Sequence, residues 1–186
     1  MTKNLYEDMD FGSSEIDKIN YINIRSNIDN LLASCAHIHD NEKINLLDIA
    51  PEIHSCTKKY FIKSKIYTLD INKEYNPDFH ADITNNSSYL IPNEFFNIVV
   101  CTEVLEHVYN PFKAVKEIYR ILKPGGIVLA STPFNFQIHP PFPDLWRFTN
   151  FGLNLLFDDF TKVKITPLND TNRPDMPIHY TITCTK

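Results

Sequence analysis

Four short apolar runs constrain this chain most: INLLDI (44–49), KIYTLDI (65–71), FFNIVVC (95–101) and GIVLAST (126–132), each bounded by polar or turn residues. Runs of this length read as buried strands rather than helices. Helical patterns lie before and between them. From Ser13 to Cys35, the residues Ile16, Ile19, Ile28, Leu31, Leu32 and Cys35 recur at helical spacing, with Ser13 or Ser14 as N-cap. From Pro111 to Leu122, Phe112, Val115, Ile118, Tyr119 and Leu122 share one face, Pro111 sits at a helix start, and KPGG follows as a stop. Strands alternating with helices imply an α/β, doubly wound, mostly parallel sheet. The last apolar runs, KVKITPL (162–168) and IHYTITCTK (178–186), are joined by a polar turn with two prolines and no room for a helix. They predict an antiparallel hairpin at the sheet edge.

A chain of 186 residues with 43% apolar and 12% aromatic content can bury one substantial core, so one domain over 1–186 is expected, with residues 1–12 as a polar leader. A net charge of -5 argues against a nucleic-acid partner, which needs clustered Lys and Arg. Cys35, Cys56, Cys101 and Cys184 form no CxxC pair, so reduced thiols are expected, with neither a disulfide framework nor a zinc knuckle. No signal-peptide pattern opens the chain, and no apolar run approaches the roughly 18 residues of a membrane span. The expectation is a soluble cytoplasmic protein with no membrane partner; oligomeric state is not readable.

In an open α/β sheet, ligands bind beyond the carboxyl ends of the strands, where the strand order switches. The residues that follow each run therefore matter: Asp48 with IAPEIHS, Asp70, Asp82 after DFHADI, Thr102 and Glu103, then Pro133 and Phe134. Acidic groups at successive strand ends repel one another in a partly desolvated cleft, and hydroxyl or amine groups of a ligand would satisfy them.

The succession LLDIA, YTLD, ADIT and FNIVVCTEVLEHVYNPFKAVKEIYRILKPGGIVLASTPF resembles the class I S-adenosylmethionine-dependent methyltransferases, in particular the type-11 group, over about residues 44–160. The segment HPPFPDLWRFTNFGLNLLF further resembles a subset associated with sugar and glycan pathways. The resemblance implies a Rossmann-like sheet of seven strands ending in the hairpin, with S-adenosylmethionine lying across the first four strand ends. It implies Asp70, with Ile71 beside it, at the ribose hydroxyls. Asp82 takes the adenine amino group with Ile83 near the ring, and Thr102 and Glu103 line the methionyl end. The first loop contributes Asp48, Ala50, Pro51 and Glu52.

That loop departs from the family. Where Asp-x-Gly-x-Gly-x-Gly is usual, this chain has Asp48, Ala50, Glu52 and His54, and its only glycines are Gly12, Gly125, Gly126 and Gly152. Dinucleotide binding is disfavoured, because that mode needs glycine for close approach to a pyrophosphate. S-adenosylmethionine carries no phosphate, so the loop is compatible with it. The rival reading is a methyltransferase-like binding or scaffold protein without donor.

For the reaction, the resemblance and the residue types point to O-methylation of a small-molecule or sugar- and glycan-like acceptor. His107, His139 and Asp144 are the candidates for the base. Phe134, Trp146 and Arg147 are the acceptor-binding candidates, within an apolar lid that includes Phe136, Phe142 and Phe148; the alternative is a loop packed on the core, with Arg147 paired to Asp144. If EVLEH is helical, Glu103, Glu106 and His107 share a face and, with His139, have the types to hold a divalent cation. That arrangement resembles ubiquinone-type O-methyltransferases and small-RNA 2'-O-methyltransferases. The same letters recur in type-11 proteins thought to need no metal, and no metal is assigned.

Overall fold

The computed structural model describes residues 14–51, 56–85, 90–170, 173 and 175–186. The expected leader at 1–12 and the candidate Glu52 lie outside the described residues. Helix α1 (Glu15–His39) starts where Ser14 caps the amide of Asp17 at 3.2 Å and runs one turn beyond the expected end at Cys35. Strands β1 (Asn45–Ile49), β2 (Lys65–Asp70) and β4 (Phe96–Thr102) follow the predicted runs, with a short helix α2 (Thr57–Tyr60) and a two-residue strand β3 (Phe79–His80) between them. Helix α3 (Pro111–Ile121) begins at proline, with Asn110 capping the amide of Lys113 at 3.0 Å. Strand β5 (Leu122–Pro133), helix α4 (Asn150–Leu156) and strands β6 (Thr161–Leu168) and β7 (His179–Thr185) complete the order.

The seven strands form one sheet, β3-β2-β1-β4-β5-β7-β6. Pairings are parallel through β5 and antiparallel for β5–β7 and β6–β7, so the expected edge hairpin is present. Successive residues of the central strands feed two cores: Leu46, Ile98, Val100 and Leu129 pack with Ile24, Ile28 and Leu32 of α1, while Leu47, Val99, Cys101, Val128 and Ala130 pack with Val115, Ile118 and Leu153 on the other face. A sheet covered on both faces explains why these strands read as unbroken apolar runs instead of alternating ones.

The helix stops before KPGG as expected, but β5 begins earlier than the apolar run 126–132: KPGG is built into it, and pairing with β4 jumps from Phe96↔Leu122 to Ile98↔Ile127. Gly125 takes φ 76°, and a Cβ at Gly126 would lie 2.8 Å from the backbone oxygen of Lys123, so glycine is required for the chain to enter the sheet without a loop.

All four cysteines are thiols outside any disulfide, with Cys35, Cys101 and Cys184 buried. Among the described residues no helix is long and apolar enough to cross a membrane.

Candidate active site

The strand order reverses between β1 and β4, which opens the cleft beyond their carboxyl ends. The first residue past β1 is Ala50, in left-handed backbone at φ 49°, with its amide bonded to the Leu69 carbonyl at 2.7 Å. The resemblance puts a first glycine here, and the turn keeps a left-handed conformation with an alanine in it. Left-handed backbone disfavours a Cβ by about 1–2 kcal/mol, part of which glycine gives back through a freer unfolded chain. Ala50→Gly is therefore expected to stabilise the protein by about 0.5–1 kcal/mol, read as a higher denaturation midpoint. An unchanged or lower midpoint would show that the turn carries no strain.

At the end of β2, Asp70 is buried, and its Oδ1 accepts the amide of Asn72 at 2.7 Å while Oδ2 is buried without a hydrogen-bond partner. A buried carboxylate oxygen in that state can accept a hydrogen bond from outside the chain. Ile71 beside it is exposed, and Ile83 is buried. Asp82 is committed to its own turn: Oδ1 accepts the amide and the hydroxyl of Thr84, both at 2.8 Å. Asp48 is buried at the end of β1, and Pro51 is half-buried behind Ala50.

EVLEH is not helical, so its residues do not share one helix face. Glu103 leaves β4 at φ 55°, and a turn through 104–109 precedes α3. Glu103 Oε1 accepts the Ser131 hydroxyl at 2.7 Å and His179 Nε2 at 2.8 Å, and its amide donates to the Ser131 carbonyl at 3.1 Å. Burial would raise this carboxyl, but the adjacent His179 ring, its hydrogen bond and that of Ser131 hold it below the usual range. Behind His179, Asn27 of α1 meets Nδ1 at 3.1 Å. Neither His179 nor Asn27 was singled out from sequence: one opens an apolar strand, the other lies on a polar helix face, and no local pattern joins them.

Glu106 and His107 meet His139 instead. Both Glu106 carboxylate oxygens and His107 Nε2 are buried without hydrogen-bond partners. Ligand atoms of Glu106, His107 and His139 all lie within 4.8 Å of one another. His107 Nδ1 is 3.1 Å from the Pro143 carbonyl, and His139 Nδ1 is 3.0 Å from Asp144 Oδ2. Both acceptors require a proton on Nδ1, so each ring, when neutral, turns an Nε2 lone pair toward Glu106, at 3.7 Å and 3.9 Å. Burial keeps His107 below its ordinary pKa.

Three acceptors facing one another favour a proton among them, and burial followed by the nearby Glu103 charge pushes Glu106 well above the carboxylate range. A group whose folded pKa is raised lends stability that is full below its unfolded pKa, about 4.3, and is lost as pH climbs toward the folded value. Glu106→Gln removes that loss, because the amide donates to the imidazoles at every pH. Its expected gain at neutral pH is on the order of 1 kcal/mol, or roughly 2–4 °C in Tm, and should vanish at pH 4. A melting series from pH 4 to 8 checks it; a variant less stable than wild type at pH 8 would overturn the assignment.

The segment after β5 folds over this turn. The amides of Leu145 and Trp146 donate to the Glu106 carbonyl at 2.7 and 3.2 Å, and Trp146 Nε1 donates to the Val108 carbonyl at 2.8 Å. Arg147, read from sequence as an acceptor clamp or as a partner of Asp144, forms the pair: Nη1 and Nη2 reach the two Asp144 oxygens at 2.5 and 2.7 Å, and Nη2 reaches the Gln137 carbonyl at 3.1 Å. Burial would raise Asp144, but the Arg147 fork and the His139 amide hold it down to about 2. Trp146 stacks on Phe148 at 6.2 Å between ring centroids, Phe142 is exposed, and Phe134 packs against Tyr180 and Phe136 against His139.

A seven-stranded sheet with this order and a terminal antiparallel pair is the Rossmann-like fold of methyltransferases, and solved structures agree. A carbon methyltransferase, CurJ, superposes with a TM-score of 0.66 at 14% identity over 87% of this chain and 55% of its own. The N-methyltransferase NodS from Bradyrhizobium japonicum WM9 superposes at 0.64 with 16% identity over 89% and 97%. The methyltransferase-domain family matches residues 21–159, and the chain belongs to it. Membership makes it a methyltransferase domain, and S-adenosylmethionine-dependent methyltransferases are among the solved proteins of this fold. Among curated relatives, the ubiquinone biosynthesis O-methyltransferase of Xanthomonas oryzae pv. oryzae is 29% identical over 90 residues, 48% of this chain and 34% of that one. The match thus spans about a third of that relative's length.

Proposed function

We propose that this methyltransferase transfers the methyl group to a hydroxyl of a small acceptor, sugar- or glycan-like, with His139 as the base and Asp144 orienting it. The observation that carries the reading is the Asp144–His139 bond of 3.0 Å, which turns His139 Nε2 inward toward Glu106 in the turn that follows β4. Transfer from a sulfonium is an in-line displacement that discharges positive charge, so alignment and exclusion of water supply much of the rate. A hydroxyl acceptor needs its proton removed as the bond to carbon forms, and a neutral imidazole lone pair is suited to take it. In this reading Asp70 Oδ2 receives the donor's ribose, Ile71 and Ile83 flank the adenine, and the loop at Ala50 and Pro51 with Thr102 and Glu103 borders the methionyl end. Trp146 and Phe134 border the acceptor; the ubiquinone-type relative supports a small hydroxylated compound, and the aromatic loop and its sequence resemblance support a sugar ring. The test is transfer of labelled methyl to a panel of hydroxylated sugars, phenols and matched amines. Products methylated on oxygen support the reading; turnover of the amines alone would sink it, and donor binding with no transfer to any acceptor favours the scaffold role.

A second reading is favoured by the orphaned atoms of Glu106 and His107. A carboxylate and two imidazoles, each imidazole donating its other N–H to a carbonyl or carboxylate, are the donor set and outer support of a divalent cation site. A cation held there would supply Lewis-acid polarisation of the acceptor oxygen. Activity lost in chelator and restored by magnesium, manganese or zinc supports it; full activity in chelator ends it.

A further inference from the structure

Glu103 is held from farther away than a turn residue requires. Its left-handed backbone is costly for a side chain with a Cβ, and such strain persists where the surroundings over-determine it. Here the surroundings are Ser131 of β5, His179 of β7 and, behind His179, Asn27 of α1. The His179 side chain is fully buried, whereas that of Glu103 keeps 18% of its surface open. Accepting the Asn27 amide at Nδ1 leaves the ring proton on Nε2, aimed at Glu103. Both side-chain bonds fall on Oε1, so the carboxylate is pinned by one oxygen and presents the other, Oε2, at the end of β4.

We propose that His179, backed by Asn27, is a positioning residue that aims Glu103 Oε2 at the ammonium group of the donor's methionyl end, so that α1 and β7 take part in donor selection. This rests on the donor reading above. A free carboxylate at the end of a long side chain samples several rotamers, and fixing it before binding removes that ordering cost from the complex. The part of the donor read in this way is the amino acid, not the nucleoside, which faces Asp70 at the other side of the cleft.

Calorimetric titration with S-adenosylmethionine, S-adenosylhomocysteine and 5'-methylthioadenosine separates the two ends, because the last shares the nucleoside and thioether but has no amino acid. His179→Asn, too short to reach Glu103, is expected to weaken the first two ligands about 10-fold and leave methylthioadenosine unchanged. His179→Gln, whose amide nitrogen reaches the place of Nε2, should recover most of the loss. Asn27→Ala should lose affinity in the same direction by a smaller factor, and it alone decides the matter if His179→Asn does not fold. In wild-type protein, nitrogen NMR should show Nδ1 of His179 unprotonated. Equal weakening of all three ligands, or of none, overturns the positioning role. Wild-type protein that binds none of the three overturns the donor reading itself, while normal affinities in Asn27→Ala together with a loss confined to Asp70→Ala overturn only the proposal.

Discussion

Asp70→Ala is expected to weaken S-adenosylmethionine binding by at least about 100-fold, since hydrogen bonds to a charged group contribute roughly 1.5–3 kcal/mol each and a ribose offers two hydroxyls. The expectation follows from the asymmetry of this side chain: Oδ1 is satisfied by the Asn72 amide, whereas Oδ2 is buried with no partner. Withdrawing a carboxylate oxygen from water without replacing its hydrogen bonds is unfavourable, and a ribose hydroxyl bound there would remove that cost. Truncation to alanine deletes the orphan together with one local bond, and the variant should remain folded. Titration calorimetry with S-adenosylmethionine, on protein shown by circular dichroism to be folded, measures the loss. Affinity within a few-fold of wild type would place the ribose elsewhere and leave the orphaned oxygen unexplained.

What was legible in the sequence follows the range of the interactions. The sheet was readable because strands buried on both faces leave unbroken apolar runs, and the hairpin because ITPL and IHYTITC have only a polar turn between them. Asp70 and Glu103 were placed at strand ends for the same reason. The local geometry there was not readable. Helical spacing in EVLEH suggested one shared face for Glu103, Glu106 and His107, but the left-handed turn at Glu103 separates them, sending Glu103 toward His179 and Glu106 toward His139. Nothing in the letters forces that conformation; it is maintained by a partner 76 positions away. Ala50 teaches the converse. The missing glycines suggested an altered loop; at its first position the pairing of the Ala50 amide with Leu69 keeps the left-handed conformation and accepts the strain. The Asp144–Arg147 pair, by contrast, was readable as an alternative to a ligand clamp, because an i,i+3 pair lies within one loop.

His139→Ala is expected to lower kcat by on the order of 10²–10⁴ while leaving donor affinity nearly unchanged, the range that a positioned general base contributes. Asp144→Asn, which keeps an acceptor for Nδ1 but removes the charge and the Arg147 fork, should lower kcat by roughly 10–100-fold, as loss of an orienting partner does elsewhere. The comparison that decides between the two readings of this cluster is His107→Ala. If His139 acts as the base, His107 only fills space beside it and closes the loop through the Pro143 carbonyl, so its loss should slow turnover far less than that of His139. If Glu106, His107 and His139 together hold a cation, both histidine variants should fall by similar factors, and each should need more added metal for half-maximal rate. Single-turnover kinetics with donor at saturation measures both without interference from product release. Donor affinity lost together with kcat in His139→Ala would show that the loop, not the imidazole, was the casualty, and would remove His139 from the chemistry.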